Sequence, residues 1–387
     1  MAGAGIQYGY YFTNRSGDPM TYLGEEIGKL GFGLMRLPRL EDGSFDHELI
    51  CQMVDRFLDA GFTYFDTAWI YSGSEEEIAK ALVQRHPRES YQLATKGISW
   101  IGCKTPEDAQ AHFHQSLERT GAGYFDFYLL HMTGGQRTQV FEQFGMWDFV
   151  AQKKAEGLIR HVGFSHHGTA EELDEILAAH PEAEFVQLQV NYLDWENPLN
   201  QSRACMEAAA KHNVPVVVME PLRGGLLADP PASVAKVFAE AEPKQSPAAW
   251  GLQFVANQPN IITVLSGMNA MEQLEDNIAA LSGFEGFAPG QAEVIEAALA
   301  EFDKFDLVPC TGCDYCAKVC PENIGIRGSF IAMNADIMFG RHVQEWLNWG
   351  GGKNPPSACI ECHACEKACP QGISIVEELK RAVPLIG

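Results

Sequence analysis

From Leu30 onward the chain alternates short apolar runs with longer stretches whose apolar residues recur at helical spacing. The runs are Leu30–Gly33, Thr63–Asp66, Tyr91–Lys96, Phe125–His131, Ile159–Phe164, Phe185–Val190, Val214–Met219 and Ile262–Ser266. Between and after them, the periodicity predicts helices near residues 46–60, 74–86, 106–120, 137–156, 170–180, 200–212, 246–257 and 271–282. A short, nearly continuous apolar run bounded by turn residues fits a strand covered on both faces, as in a parallel sheet whose crossovers are helices. Eight such strands alternating with eight helices over roughly 250 residues predict an α/β fold of the (β/α)8 TIM-barrel class. A doubly wound sheet shares the alternation, but the Gly31-Phe-Gly33 turn carries Arg36 where its glycine fingerprint would need a third glycine.

The pattern changes at both ends. Residues 1–20 are rich in Gly and Tyr without periodicity and read as a loose arm. Past the eighth helix, Gly290–Phe305 reads as a further amphipathic helix, and the composition then turns to cysteine. The expected division is therefore an arm at 1–20, a barrel at 21–302 and a small α-rich domain at 303–387. Within that last part, Gly328–Met338 and His342–Leu347 look helical. Phe330, Met333, Met338, Phe339, Trp346 and Trp349 are expected to pack the small domain onto the barrel.

Charge and cysteine content narrow the chemistry. Lys+Arg 28 against Asp+Glu 51 leaves a net charge of −23, which argues against nucleic acid or an anionic membrane as partner. No apolar run is long enough to span a bilayer and no signal-like segment opens the chain, so a cytoplasmic location is expected. Eleven cysteines then suggest metal ligation in a reducing compartment more than disulfides. Eight of them form two runs, Cys310, Cys313, Cys316, Cys320-Pro321 and Cys359, Cys362, Cys365, Cys369-Pro370. Both have the C-x2-C-x2-C-x3-C-P spacing with which bacterial ferredoxins hold [4Fe–4S] clusters, the fourth cysteine of each run serving the other cluster. The expected sets are Cys310, Cys313, Cys316 and Cys369, and Cys359, Cys362, Cys365 and Cys320, in a ferredoxin-like tail; zinc is the competing metal.

The C-terminal ends of barrel strands are where catalytic groups gather. Here they deliver Asp66 and, shortly after, Tyr71; then Lys96; then His131. Such a set makes an acid machine: Lys96 lowers the pKa of Tyr71, Asp66 fixes Lys96, and His131 holds a carbonyl oxygen. Trp69, Trp100 and Trp195 are candidate pocket walls, and His167 a candidate substrate contact. Cys51 and Cys205 read as core, and Cys103 has no visible activating partner.

Several ordered segments resemble the aldo/keto reductases: Leu30-Gly-Phe-Gly-Leu-Met-Arg-Leu-Pro38, Asp66-Thr-Ala with Tyr71, Thr-Lys96, Tyr128-Leu-Leu-His131, Gly157 to Ser165, and Met219-Glu-Pro-Leu-Arg-Gly-Gly225. The cysteine runs resemble a subgroup with a tail of two [4Fe–4S] clusters. The resemblance implies a catalytic tetrad of Asp66, Tyr71, Lys96 and His131 and a nicotinamide cofactor, NAD(H) or NADP(H), across the barrel top. It places Ser165, His166 and Gln187 at the carboxamide, Met219 at the ring, and Pro221, Leu222, Arg223 and Gly224 along the pyrophosphate. Ser266, Gly267, Gln273 and Asn277 then stand where family members grip the 2′-phosphate of NADPH, without the usual basic pair. The expected function is carbonyl/alcohol interconversion on a small substrate, coupled to the clusters. The alternatives are an electron-transfer or redox-sensing protein built on a barrel scaffold, and a flavin- or ferredoxin-driven reductase with an external ferredoxin as partner.

Overall fold

The structure, a computed structural model, describes residues 21–340 and 352–386. Eight strands form one closed, wholly parallel barrel: β3 (Leu30–Gly33), β4 (Tyr64–Asp66), β5 (Gln92–Gly97), β6 (Phe125–Thr133), β7 (Ile159–His166), β8 (Phe185–Gln189), β9 (Val216–Met219) and β10 (Ile261–Ser266). β10 closes the ring onto β3 through Val264 opposite Leu30. Each apolar run of the sequence therefore supplies one staff, in chain order. The arm at 1–20 and the helix expected at 342–347, with Trp346 and Trp349, lie outside the described residues.

Side chains alternate across a strand, so every second residue enters the barrel. Tyr64, Ala94, Phe127, Leu129, Phe185, Val217 and Ile262 meet in one buried cluster, with Tyr22 and Leu23 packed against it. Those two belong to a short antiparallel hairpin, β1 (Thr21–Tyr22) and β2 (Glu25–Glu26), which the periodicity did not show. Two residues on from Tyr64, Ala94, Leu129 and Phe185, the same inward register brings Asp66, Lys96, His131 and Gln187 to the C-terminal rim. The strand period itself thus stacks polar chemistry on an apolar floor.

The crossover helices are α1 (His47–Asp59), α2 (Ser74–Ile78, continuing as a wider turn over Ala79–Val83), α3 (Pro106–Thr120), α4 (Gln136–Gln143), α5 (Met146–Ala155), α6 (Ala170–Ala179) and α7 (Ser202–Lys211), followed by α8 (Ala232–Glu240), α9 (Pro247–Ala256) and α10 (Met271–Leu281). α3 and α6 begin with reciprocal capping boxes, Thr105 with Asp108 and Thr169 with Glu172. The single helix expected over 137–156 is broken in two where Gly145 takes a left-handed conformation, φ 60°.

By its internal packing the described part of the chain divides into two units, one falling within residues 1–196, 200–225 and 248–289 and the other within residues 197–199, 226–247 and 290–387. The second unit takes in α8 and α11 (Gln291–Phe302), ahead of the boundary expected at 302. It continues through α12 (Tyr315–Val319), α13 (Ile326–Phe339), α14 (Ala364–Ala368) and α15 (Ile375–Ile386). Its own core gathers Ile326, Phe330 and Met333 from α13 with Ile375, Val376 and Leu379 from α15.

Candidate active site

Lys96 is almost fully enclosed and donates to Asp66 Oδ1 at 2.5 Å and to the Thr67 carbonyl at 2.7 Å. The other oxygen of Asp66 accepts from Gln187 Nε2 at 3.2 Å. Burial pushes the Asp66 carboxyl above its ordinary range, against the pull of Lys96 and Gln187. The loop after β4 then turns back over the strand ends, through Trp69 N–H to the Lys96 carbonyl at 3.0 Å and Tyr71 N–H to the Ala68 carbonyl at 2.9 Å. That fold sets the Tyr71 ring over the ammonium, with Lys96 Nζ 5.3 Å from the ring centre. His131 meets the same ring edge-on, centres 5.9 Å apart and planes at 84°. Its backbone carbonyl is held by Trp100 Nε1 at 3.0 Å. The four residues expected to act together do converge on one rim.

The direction of one shift differs from the expected one. The Tyr71 phenol was expected to be lowered by Lys96; burial instead outweighs the ammonium and raises it above 10.0. Tyr71 is therefore a firmly protonated phenol. Burial, helped by Lys96, His167 and Arg137, holds His131 well below the usual imidazole range, so it is neutral, and its buried Nδ1 has no hydrogen-bond partner among the described residues.

The residues expected around a nicotinamide turn many of their polar atoms into the protein. Ser165 Oγ accepts from Met132 N–H at 2.8 Å. His166 is engaged at both ring nitrogens, by Thr133 Oγ1 at 3.1 Å and the Thr169 carbonyl at 2.9 Å, so neither is left for a carboxamide. Arg223 lies 3.2 Å from the buried carboxylate of Asp194. Asn277 donates to Ser266 Oγ at 2.8 Å, and Gln273 accepts from Asn269 N–H at 2.9 Å. Met219 and Leu222 are half-buried, Pro221 is buried, and Gly224 and Gly267 are exposed. Arg36, singled out in the sequence only for spoiling a glycine fingerprint, runs between these glycines. A Cβ on Gly224 would lie 3.6 Å from its Nη2, and one on Gly267 would lie 4.0 Å from its Nη1. Its nearest acid is Glu220, at 3.7 Å.

Of the candidate walls, Trp69 turns outward and stacks on His112 at 3.6 Å, and Trp195 packs edge-on against Phe254 at 5.6 Å. Cys205 is buried, whereas Cys51 is half-exposed beside His47, with Sγ 3.5 Å from Nε2. Cys103 does have an imidazole nearby, His112 Nε2 at 4.0 Å, but burial raises its thiol.

The tail cysteines divide between two cavities of the second unit. Cys310, Cys313, Cys316 and Cys369 line one; Cys320, Cys359, Cys362 and Cys365 line the other. Among the described residues, no group of three or more His, Cys, Asp or Glu side chains is gathered so that it could hold a metal ion. That finding overturns the expected pair of [4Fe–4S] clusters, and with them the ferredoxin-like tail, the iron–sulfur subgroup and the coupling of the barrel to cluster or flavin chemistry.

Comparison with known proteins assigns the barrel. The model described as the aldo/keto reductase family matches residues 29–285. A second model, described as a 4Fe-4S dicluster domain, matches residues 309–374; it carries the cysteine spacing, in contrast to the side-chain geometry just described. An aldo-keto reductase of Mycolicibacterium smegmatis is 28% identical over 246 residues, 60% of this chain and 81% of its own. One from the fungus Strobilurus tenacellus is 29% identical over 300 residues, 66% of this chain and 84% of its own. Among solved structures, the holo form of an aldo-keto reductase from Bacillus halodurans superposes with a TM-score of 0.57 at 22% identity, covering 71% of this chain and 93% of its own. A Klebsiella pneumoniae aldo-keto reductase in complex with NADPH gives 0.57 at 20% identity, covering 70% and 92%. These two likenesses speak to the fold. With a family match spanning more than half of its 387 residues, the chain belongs to the aldo/keto reductase family and is an oxidoreductase of that type.

Proposed function

We propose that this reductase interconverts a small carbonyl compound and its alcohol, with NAD(P)H as hydride partner and Tyr71 as general acid and base. The observation that carries the reading is the buried Lys96–Asp66 pair beneath the Tyr71 ring, beside a neutral His131. When bound, the nicotinamide supplies the hydride to the carbonyl carbon and takes it back in the reverse direction. As the carbonyl electrons shift to oxygen, Tyr71 gives that oxygen its phenolic proton. Lys96, fixed by Asp66 and the Thr67 carbonyl, stabilises the phenolate left behind. His131, uncharged, orients the same oxygen by a hydrogen bond, without competing as an acid.

Arg36, between the loops after β9 and β10, is the residue best placed to meet a cofactor phosphate; Met219 and Leu222 offer half-buried apolar surface beside it. The scheme needs no external electron carrier. A cytoplasmic location fits cysteines that are all free thiols; among the described residues no helix is long and apolar enough to cross a membrane.

Tyr71→Phe removes the proton and keeps the ring. Carbonyl turnover is expected to fall by roughly a hundredfold or more, with the Kd for NADPH and NADH unchanged by fluorescence titration. Undiminished turnover in the variant sinks the assignment.

A further inference from the structure

Arg137 sits in the first turn of α4, four residues beyond the end of β6, and its position is costly in three ways. A cation in the first turn opposes the positive end of the helix dipole. Its guanidinium is half-buried, and burial lowers its pKa. Yet among the described residues it makes no hydrogen bond and no ion pair, and its buried Nε has no partner. It lies over the face of Trp100, Cζ 5.9 Å from the ring centre, a weak interaction at that distance.

The neighbouring acid makes its hydrogen bonds elsewhere. Glu172, the carboxylate whose field reaches Arg137, spends Oε1 on Gly135 N–H at 3.3 Å and Oε2 on Thr169 N–H at 3.0 Å. Three imidazoles also feel the charge of the guanidinium. Its field helps keep His131, His166 and His167 neutral, and His167 is pushed down to about 3. Backbone geometry fixes this arrangement: a Cβ on Gly134 would lie 3.0 Å from Gly168 N, so the loops after β6 and β7 touch. Trp100, which faces Arg137, is also the residue that holds the His131 carbonyl. An unpaired guanidinium thus borders the rim where a substrate carbonyl would meet Tyr71 and His131.

We propose that Arg137 is a substrate-anchoring residue that pairs with a carboxylate, so that the substrates of this enzyme are oxo acids: compounds bearing a reducible carbonyl and a carboxylate. A planar guanidinium can engage a carboxylate through two parallel hydrogen bonds, which would satisfy the donors the protein leaves open. The proposal rests on the tetrad reading for its chemistry, while its ligand binding is independent of turnover. A phosphate of the cofactor is the other anion of suitable chemistry, and the test separates the two.

The experiment uses the full chain and the variants Arg137→Met, Arg137→Lys and Tyr71→Phe. Succinate and 4-carboxybenzoate serve as unreactive carboxylate probes in calorimetry. Turnover is measured on succinic semialdehyde and 4-carboxybenzaldehyde, each against its methyl ester. Succinate or 4-carboxybenzoate is expected to bind the wild type and Tyr71→Phe alike and to be lost in Arg137→Met. Arg137→Met is expected to lower kcat/KM for the acids by roughly a hundredfold while changing the esters less than about twofold, with Arg137→Lys intermediate. Equal losses on acid and ester, absence of carboxylate binding by the wild type, or a Kd for NADPH weakened in place of carboxylate binding would each overturn the proposal. If Tyr71→Phe keeps its turnover while carboxylate binding follows Arg137, the tetrad reading fails and this one stands.

Discussion

Burial sets the protonation of the candidate site at the residue scale, and this determines its pH behaviour. On the proposed mechanism, reduction needs the Tyr71 phenol protonated, a form present below its pKa, which lies above 10.0. His131 is held well below 6.5 and stays neutral through the working range. The rate constant for reduction is therefore expected to be level from about pH 7 to 9, without an acid limb near the ordinary histidine value of about 6.5. A limb there, abolished in His131→Asn, would show that His131 titrates as an ordinary imidazole. Histidines held neutral in the fold also tie stability to pH. His167 takes a proton near 6.5 when unfolded but only at about 3 when folded, so its contribution is present above 6.5 and is lost as pH falls towards 3. The loss per such histidine is at most about 1.4 kcal/mol per pH unit. Melting temperature should fall between pH 7 and 5, and less so in His167→Asn. The rim positions of Asp66, Lys96 and His131 were legible in the sequence because strand ends and strand period place them, whereas Tyr71 follows in the loop after β4. Arg36 and Arg137 were not legible, because the roles proposed for them depend on which loops tertiary structure brings beside them.

At the scale of elements, α3 does more than cover the barrel. One face of it grips the loop that carries Tyr71: His112 stacks on Trp69, Gln115 Oε1 accepts from Trp69 Nε1 at 2.8 Å, and Arg119 Nη1 donates to the Trp69 carbonyl at 3.1 Å. The same guanidinium reaches Glu75 at 3.2 Å, and Glu75 accepts from Thr95, the neighbour of Lys96 in β5, at 2.7 Å. Arg119→Met should loosen the loop without touching substrate. We expect kcat to fall roughly tenfold to a hundredfold with KM for the cofactor little changed, since small misplacements of an acid are costly. A variant with normal kcat would show that the turn from Ala68 to Tyr71 holds its shape unaided. The alternation of strand and helix was readable because burial on two faces leaves continuous apolar runs. This clamp was not, since Trp69 alone reads equally well as a pocket wall. Nor were α8 and the break at Gly145, where one residue's backbone freedom overrides a helical pattern. The cysteine runs show the limit of spacing: it was read as cluster ligation, but the described side chains come together without forming a metal-holding group.

For the whole molecule, the net charge of −23 stands against the two arginines that border the candidate site. NADPH and NADH are anions, so on the proposed reading an approaching cofactor meets long-range repulsion first and Arg36 only at contact. The Debye length shrinks from about 30 Å at 0.01 M salt to about 8 Å at 0.15 M, which screens the distant charges far more than a pair in contact. The association rate for NADPH should therefore rise with salt over that range, opposite to the usual behaviour of an electrostatically steered cofactor. Arg36→Ala removes the contact and leaves most of the distant field, so it should weaken binding of both cofactors by roughly tenfold or more while the association rate still rises with salt. Stopped-flow fluorescence at the two ionic strengths, on wild type and variant, measures both quantities. An association rate that falls with salt in the wild type would mean that a local positive field at the barrel mouth outweighs the molecule's net charge. Unchanged affinity in Arg36→Ala would mean that the phosphates lie elsewhere than between Gly224 and Gly267.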